Sequence, residues 1–316
     1  MRAIAMERFG GTEQLKPTDL PRPRPERGEI LLRIVAAGVN PVDCKIRAGE
    51  LQDVFPNAFP TILGFDAAGV VEELGEDTSR FRKGDRVWTY ARKPKVQWGC
   101  YAEYVSVPEE QVALMPSKLL FEEAAAVPVV GLTAFQCLLG GPPIGKDSTV
   151  LVHAGAGGVG HLAIQLAKNA GAKVLGTAGS ANQEFIMSLG AYAGIDYTQE
   201  DFTEAVQRHF KDGVDFVLDT IGGEVQTRSL SVLKPGGRLV SIAQPPDEAA
   251  AVKLGVTVGF VATQPDGEQL AQLARMIDKG GIRGAHVQKI FPLAEAAQAH
   301  QTVEAGHVRG KLVLNL

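Results

Sequence analysis

The sequence predicts an α/β protein of two domains, one mainly β and one built on a doubly wound parallel sheet. Three observations predict it. The chain has 316 residues, more than one ordinary core accommodates. Its texture changes near residue 148, from short β-branched runs to strands that alternate with helical stretches. At that change stands GAGGVG, residues 155–160, between an apolar run and an amphipathic stretch.

The first section, to about residue 123, holds apolar runs at 30–39, 69–74, 86–90 and 101–107. Pro, Gly and Asp clusters at 21–25, 75–77 and 83–85 separate them, which predicts an all-β barrel or sandwich. Residues 124–145 carry no charge, but Pro128, Gly131, Thr133, Gln136, Pro142 and Pro143 interrupt any membrane span. A helix buried between domains is expected there, with the linker near 121–128. Residues 148–153 form a short run with consecutive Val150, Leu151 and Val152, the pattern of a strand buried on both faces. After the glycine-rich string, Val159, Leu162, Ala163, Leu166 and Ala170 mark one face of a helix. Strands follow at 173–177, 215–220, 238–243 and 256–262, with a helical stretch ending near Gly190. Right-handed crossovers join such strands into a parallel sheet. A helix at 268–277 and a final strand at 311–314 close the chain.

Composition narrows the function. Hydrophobic residues make up 45% and charged residues 22%, which excludes disorder, and the 36 glycines follow no collagen-like period. The formal charge is -4 with no block of like charge, so nucleic acid and anionic lipid are not expected partners. Cys44, Cys100 and Cys137 are odd in number and far apart, which predicts free thiols and a reducing, cytoplasmic location. The opening MRAIAMERFG lacks the apolar stretch of a signal peptide.

Gly155, Ala156, Gly157, Gly158, Val159 and Gly160 satisfy G-x-G-x-x-G with a strand before and a helix after. Gly155 permits a sharp turn, Gly157 lets main chain approach a pyrophosphate, and Gly160 lets helix and strand pack closely. The helix start then presents N–H groups to the phosphates. A dinucleotide is expected. An NAD site usually carries an acid at the end of the second strand, yet residues 176–180 offer Thr177 and Ser180 and no acid before Glu184. Small hydroxyls admit a 2'-phosphate, so NADPH is the expected cofactor, with Ser180 and Tyr197 as donors. No Lys or Arg occurs between Lys173 and Arg208, so a cation must come from elsewhere, and Arg309 and Lys311 are the candidates.

Four strings occur in order: AAGVNPVDCKIRAG (36–49), GFDAAGVV (64–71), GLTAF (131–135) and HAGAGGVG (153–160). Together they resemble the medium-chain dehydrogenase/reductase superfamily, and within it the zinc-independent, zeta-crystallin-like quinone oxidoreductases. The resemblance runs nearly end to end. It implies a GroES-like catalytic domain (1–123 and 265–316) and a Rossmann domain (124–264), the tail returning to the first. Relatives with catalytic zinc carry Cys and His where this chain has Asn40 and Phe65, neither of which is a zinc ligand. Only Cys100 lies near the structural-zinc lobe, so no metal is expected.

Without a Lewis acid, reduction of a quinone or conjugated enone is favoured over alcohol oxidation. A donor at the acceptor oxygen lowers that barrier, and Asn40 is the first candidate because the resemblance places it in the substrate cleft. Its alternative role is a turn residue before Pro41. Lys45 follows Asp43 by two residues, so on an extended segment both reach one side; a surface ion pair accounts for them equally. The resemblance sets Thr133 beside the nicotinamide, and a core hydroxyl is the other reading. Ser241, Ile242, Phe260 and Val261 end expected parallel strands, where ligands bind. Tyr90 and Tyr101 flank a loop and are weak general-acid candidates. Some relatives have tyrosine where Leu51 stands, which puts that substrate contact in doubt. Cys44 reads as a buried hydrophobe before a reactive thiol, and the histidines lack metal-like spacing. Relatives commonly pair through the last Rossmann strand, here 256–262, so a homodimer is expected. A non-catalytic NADPH binder, RNA-binding or structural, is the alternative function. No Tyr-x-x-x-Lys pair supports a short-chain reductase.

Overall fold

The computed structural model describes residues 1–141 and 144–316; Pro142 and Pro143, named above as helix interruptions, lie outside the described residues. The chain divides into two units, Met1–Leu132 with Pro265–Gly280 and Gly284–Leu316, and Thr133–Gln264 with Gly281–Arg283. The division falls after Leu132 rather than near 123, because the helix Phe121–Ala125 packs on strands Glu29–Val39 and Asp66–Leu74 of the first unit.

The first unit is built on two sheets. Four strands run in the order Lys16–Asp19, Arg2–Met6, Asn57–Ile62, Val96–Trp98. Seven form the larger sheet, along the path Val287–Pro292, Lys311–Asn315, Glu29–Val39, Asp66–Leu74, Arg86–Tyr90, Val112–Leu114, with Tyr104–Pro108 also paired to Glu29–Val39. Register brings three strand ends together. Leu312 pairs with Val39 and Gly38 with Asp66, so Lys311, Asn40 and Asp66 converge. The chain then enters the helix Pro41–Ala48, where Pro41 suits the first helical position and Asp43 Oδ2 accepts from Asn40 N at 2.8 Å.

The second unit is a six-stranded, all-parallel sheet: Ala193–Asp196, Lys173–Ala178, Thr149–Val152, Val214–Asp219, Leu233–Ser241, Thr257–Phe260. Numbered along the chain that order is 3-2-1-4-5-6, the doubly wound dinucleotide-binding topology. Leu151, Leu175, Val217 and Leu239 are fully buried on four neighbouring strands and continue into Phe202 and Val206. The helix Gly160–Asn169 differs from its expected single apolar face: every residue from Gly160 to Ala167 is buried. The uncharged stretch forms the helix Pro128–Leu139, and among the described residues no helix is long and apolar enough to cross a membrane.

Candidate functional site

In the second unit the strand Thr149–Val152 runs into the glycine-rich turn. The left-handed position is Ala154, with φ 46°, rather than Gly155 as the motif predicts. Gly155 is needed for closeness: a Cβ there would stand 2.9 Å from Ile164 Cδ1 and 3.3 Å from Ile186 Cγ2. At Gly160 a Cβ would stand 2.2 Å from Ala154 O and 2.9 Å from Gly155 Cα, so helix and turn touch through bare main chain. Gly157 is different. Its missing Cβ faces open space except for Ala154 O at 3.3 Å and Ala154 Cβ at 3.9 Å. Bare main chain with few neighbours, beside the start of a ten-residue helix, fits the pyrophosphate of a dinucleotide.

Thr177 locks this turn from below. Its Oγ1 accepts from Ala154 N at 3.1 Å and meets His153 Nδ1 at 3.3 Å. Ser229 Oγ gives its proton to Val225 O at 2.6 Å, so it accepts from His153 Nε2 at 2.8 Å, and Nδ1 is left to accept from Thr177. His153 is therefore neutral, and burial pushes its pKa down to about 4. Thr133 Oγ1 bonds Thr263 Oγ1 at 2.7 Å. Ser241 ends its strand and donates to the buried Asp219 Oδ2 at 2.7 Å; Phe260 ends the next. Ile242 and Val261 follow those ends, with N–H bonds to Asp219 O and Ser241 O. Ser180 lies just past the end of Lys173–Ala178, and Tyr197 just past Ala193–Asp196, 56% exposed.

In the first unit a buried polar cluster surrounds Asn40. Lys311 Nζ donates to Val39 O at 2.9 Å, to Asn40 Oδ1, and to Asp66 Oδ2 at 3.3 Å. Asn40 Nδ2 donates to Asp66 Oδ2 at 2.9 Å, and Asp66 Oδ1 accepts from Val129 N at 2.6 Å. Asn40, Asp66 and Lys311 are all buried. Lys311, one of two cations expected at a 2'-phosphate, thus has its three ammonium hydrogens matched by three oxygens of this cluster.

Lys45 and Asp43 do not share a side. Residues 41–48 are helical, and two residues along a helix turn the side chain about 200° away. Asp43 is buried and Lys45 exposed, so Asp43 does not position Lys45. Asp43 Oδ2 instead accepts from the Tyr101 hydroxyl at 3.1 Å, and Oδ1 has no partner among the described residues. Tyr101 meets His300 Nε2 at 3.1 Å, and His300 Nδ1 meets Arg47 Nη1 at 3.3 Å. Arginine only donates, so the bonds run from Arg47 through His300 and Tyr101 to Asp43. Burial, opposed mainly by the Asn40 N–H bond and the Lys311 charge, raises Asp43 to about 7. Burial, aided by Arg47, lowers His300 to about 3. Tyr101 is therefore a fully buried hydroxyl held by Asp43 and His300, and Tyr90 is buried within the strand Arg86–Tyr90.

Phe65, which stands where zinc-containing relatives carry a metal ligand, packs edge-on against Tyr90 at 5.7 Å between ring centroids. Cys44 is buried with its thiol pushed up to about 12. Among the described residues no three His, Cys, Asp or Glu side chains group as metal ligands. An amide already bonded on both sides and an aromatic ring are not a zinc donor set.

Sequence reasoning missed Asp66, Lys311 as the partner of Asn40, and His300. The carrying signal for Asp66 was its place in GFDAAGVV; nothing local marked the other two.

The chain is similar to known proteins over its whole length. The "Alcohol dehydrogenase GroES-like domain" family matches residues 26–117, and "Zinc-binding dehydrogenase" matches residues 189–314. The chain is 31% identical to the quinone oxidoreductase of Homo sapiens, covering 100% of this chain and 98% of that protein. It is 33% identical to the chloroplastic NADPH-dependent alkenal/one oxidoreductase of Arabidopsis thaliana, over 99% of this chain and 79% of that one. The structure of Escherichia coli quinone oxidoreductase complexed with NADPH superposes with TM-score 0.88 at 29% identity, covering 100% of both chains.

Proposed function

Because the chain belongs to the medium-chain dehydrogenase/reductase superfamily, as a member of its zeta-crystallin-like quinone oxidoreductase family, we propose that it is an NADPH-dependent reductase of quinones or α,β-unsaturated carbonyl compounds that works without zinc. The observation that carries this reading is the bare main-chain turn at Gly157, which follows the first strand of a 3-2-1-4-5-6 sheet.

Reduced nicotinamide, when bound, supplies hydride. The main chain of Gly155, Ala156, Gly157, Gly158, Val159 and Gly160 would hold the pyrophosphate, with Thr133, Thr177, Ser180, Tyr197, Ser241, Ile242, Phe260 and Val261 around the rest of the nucleotide. Asn40 is the proposed donor to the acceptor oxygen. Its Nδ2 carries two hydrogens, of which Asp66 takes one, so one N–H is left for charge developing on substrate. Lys311 and Asp66 orient that amide. Lys45, exposed on the helix Pro41–Ala48, has no assigned part in this scheme, and Asp43 serves the helix cap. The final proton comes from water. The proposal that the protein works without zinc rests on the donor chemistry at Asn40 and Phe65, although the family matched by residues 189–314 is named for zinc binding.

The exposed edge strand Thr257–Phe260, with Phe260 46% exposed, supports a homodimer through that edge. Three free, buried cysteines support a cytoplasmic location.

Mixing the protein with NADPH and a simple quinone or enone tests the proposal. Absorbance of the reduced nicotinamide is expected to decay. Tight NADPH binding without decay for any acceptor favours the non-catalytic binder.

A further inference from the structure

The buried chain of bonds that starts at Arg47 ends on the main chain of Asn40. The Asn40 amide is turned to Lys311 and Asp66, while its main-chain N–H is held by Asp43 Oδ2 at 2.8 Å. The same oxygen accepts from the Tyr101 hydroxyl at 3.1 Å, and Asp43 Oδ1 has no partner among the described residues. A single oxygen with two donors therefore sets how this carboxyl lies.

The direction of each bond follows from the far end. Arg47 is buried, with Nε on Gly10 O at 3.1 Å and Nη2 on Glu304 Oε1, so its place is fixed. It presents an N–H to His300 Nδ1, so the neutral ring carries its proton on Nε2 and donates to the Tyr101 oxygen. The Tyr101 proton is thereby directed to Asp43. With the ring proton on Nδ1 instead, Nε2 would compete with Asp43 for the hydroxyl. Burial first, then the Asp43 charge, raises Tyr101 well above its ordinary value, so it keeps that proton. Arginine does not release a proton in a protein, so the chain orients and does not relay.

Tyr101 is also seated against the segment that leads into Asp66. Gly64, the first residue of GFDAAGVV, has φ 93°, and a Cβ there would stand 2.5 Å from Tyr101 Cδ1. Tyr101 N donates to Leu63 O at 2.9 Å. The ring packs and the hydroxyl points, so the two roles can be separated by substitution.

We propose that Tyr101 and His300 are positioning residues for the donor amide: through Asp43 they fix the main chain of Asn40, and with it the point from which Nδ2 donates to the acceptor oxygen. This rests on the reading that Asn40 makes that donation.

Steady-state kinetics of the full-length protein with NADPH and a simple quinone test it, each variant first checked by its melting curve. Tyr101→Phe removes the hydroxyl and keeps the ring on Gly64. It should lower kcat about tenfold and leave KM for the quinone within about twofold, because a misplaced donor fails in the transition state. His300→Leu should do the same from another side chain, so a failure of one variant to fold leaves the other. His300→Gln, whose amide can accept from Arg47 and donate to Tyr101, should keep most of the parent kcat. Within Asn40→Ala, the Tyr101→Phe change should cost nothing further, since no amide is left to place. Parent kcat in Tyr101→Phe and His300→Leu, or the same loss with Asn40 present or absent, overturns the assignment alone. Parent kcat in Asn40→Ala overturns the donor reading and this assignment with it, as does absence of turnover with every acceptor.

Discussion

Lys311 Nζ donates to Asn40 Oδ1, and that bond decides which way the Asn40 amide faces. An ammonium only donates, so the amide oxygen must point to it, and Nδ2 is turned onto Asp66 at 2.9 Å. The Lys311 and Asp66 side chains are 3% and 0% exposed, so neither charge has water to fall back on. Lys311→Met should destabilise the protein by about 3 kcal/mol, as should Asp66→Asn, each leaving a buried group short of its partner. The double variant should lose at least about 1 kcal/mol less than the sum. Urea denaturation of the four proteins measures this, and strict additivity would mean the two side chains are not energetically linked.

Asn40 itself separates chemistry from scaffold. Asn40→Ala removes the proposed donor and should lower kcat about a hundredfold, with a smaller change in KM, if the bond forms in the transition state. Steady-state kinetics with a quinone and saturating NADPH read the split. A rise in KM with kcat intact would place Asn40 in substrate binding alone.

Gly157 and Gly160 sit three residues apart yet should fail in different ways. A methyl at Gly160 meets Ala154 O at 2.2 Å and Ala154 C at 2.8 Å, main-chain atoms that cannot turn aside. Gly160→Ala should therefore lower the melting temperature by several degrees, equivalent to about 1–3 kcal/mol of overpacking. At Gly157 the nearest atom, Ala154 O, is 3.3 Å away, a tight contact that a small shift relieves, so Gly157→Ala should lose much less melting temperature than Gly160→Ala. It should nonetheless lose NADPH affinity at least about tenfold, because the methyl occupies space meant for phosphate. Equal binding by Gly157→Ala and the parent would remove that turn from the nucleotide site.

Much of this was legible because it is local. GAGGVG, its strand and its helix lie within about thirty residues, and hydrophobic periodicity reads such a unit directly. Partnerships set by sheet pairing were not. Asn40 and Lys311 are 271 residues apart and meet only through antiparallel register between two strands. Lys45 was misplaced by period. A spacing of two faces one way on a strand and opposite ways on a helix, and Pro41 starts a helix. The left-handed turn at Ala154 is a further departure, since glycine is the residue that pattern reasoning places there.

Thiol chemistry gives a direct check on the cysteines. Cys44 and Cys137 are buried with thiols pushed up to about 12, and Cys100 is raised well above its ordinary value, burial being the main cause in each. The thiolate is the reactive form, so native protein at pH 8 should consume almost no Ellman's reagent within minutes. The three thiols should react promptly in guanidinium chloride. Fast native labelling at Cys44 would revive it as a reactive group.

Asp43 and His300, two members of the chain of bonds that starts at Arg47, have opposite pH signatures. Asp43 is raised from 3.8 to about 7, so between those values the folded protein holds a proton that the unfolded chain has released. Its contribution to stability is full below about pH 4 and is lost as pH rises through 7. His300 is lowered from 6.5 to about 3, so there the unfolded chain holds the extra proton. Its contribution is full above pH 6.5 and is lost as pH falls toward 3. Asp43→Asn should therefore gain on the parent in melting temperature as pH rises from 4 to 8, whatever its offset at one pH. His300→Gln, whose amide can still accept from Arg47 and donate to Tyr101, should gain on the parent as pH falls from 6.5 to 4. Melting curves at half-unit pH steps distinguish the two slopes. Parallel curves for parent and Asp43→Asn would mean that the carboxyl titrates in the folded protein as it does in the unfolded chain, and that its unpartnered Oδ1 is reached by water.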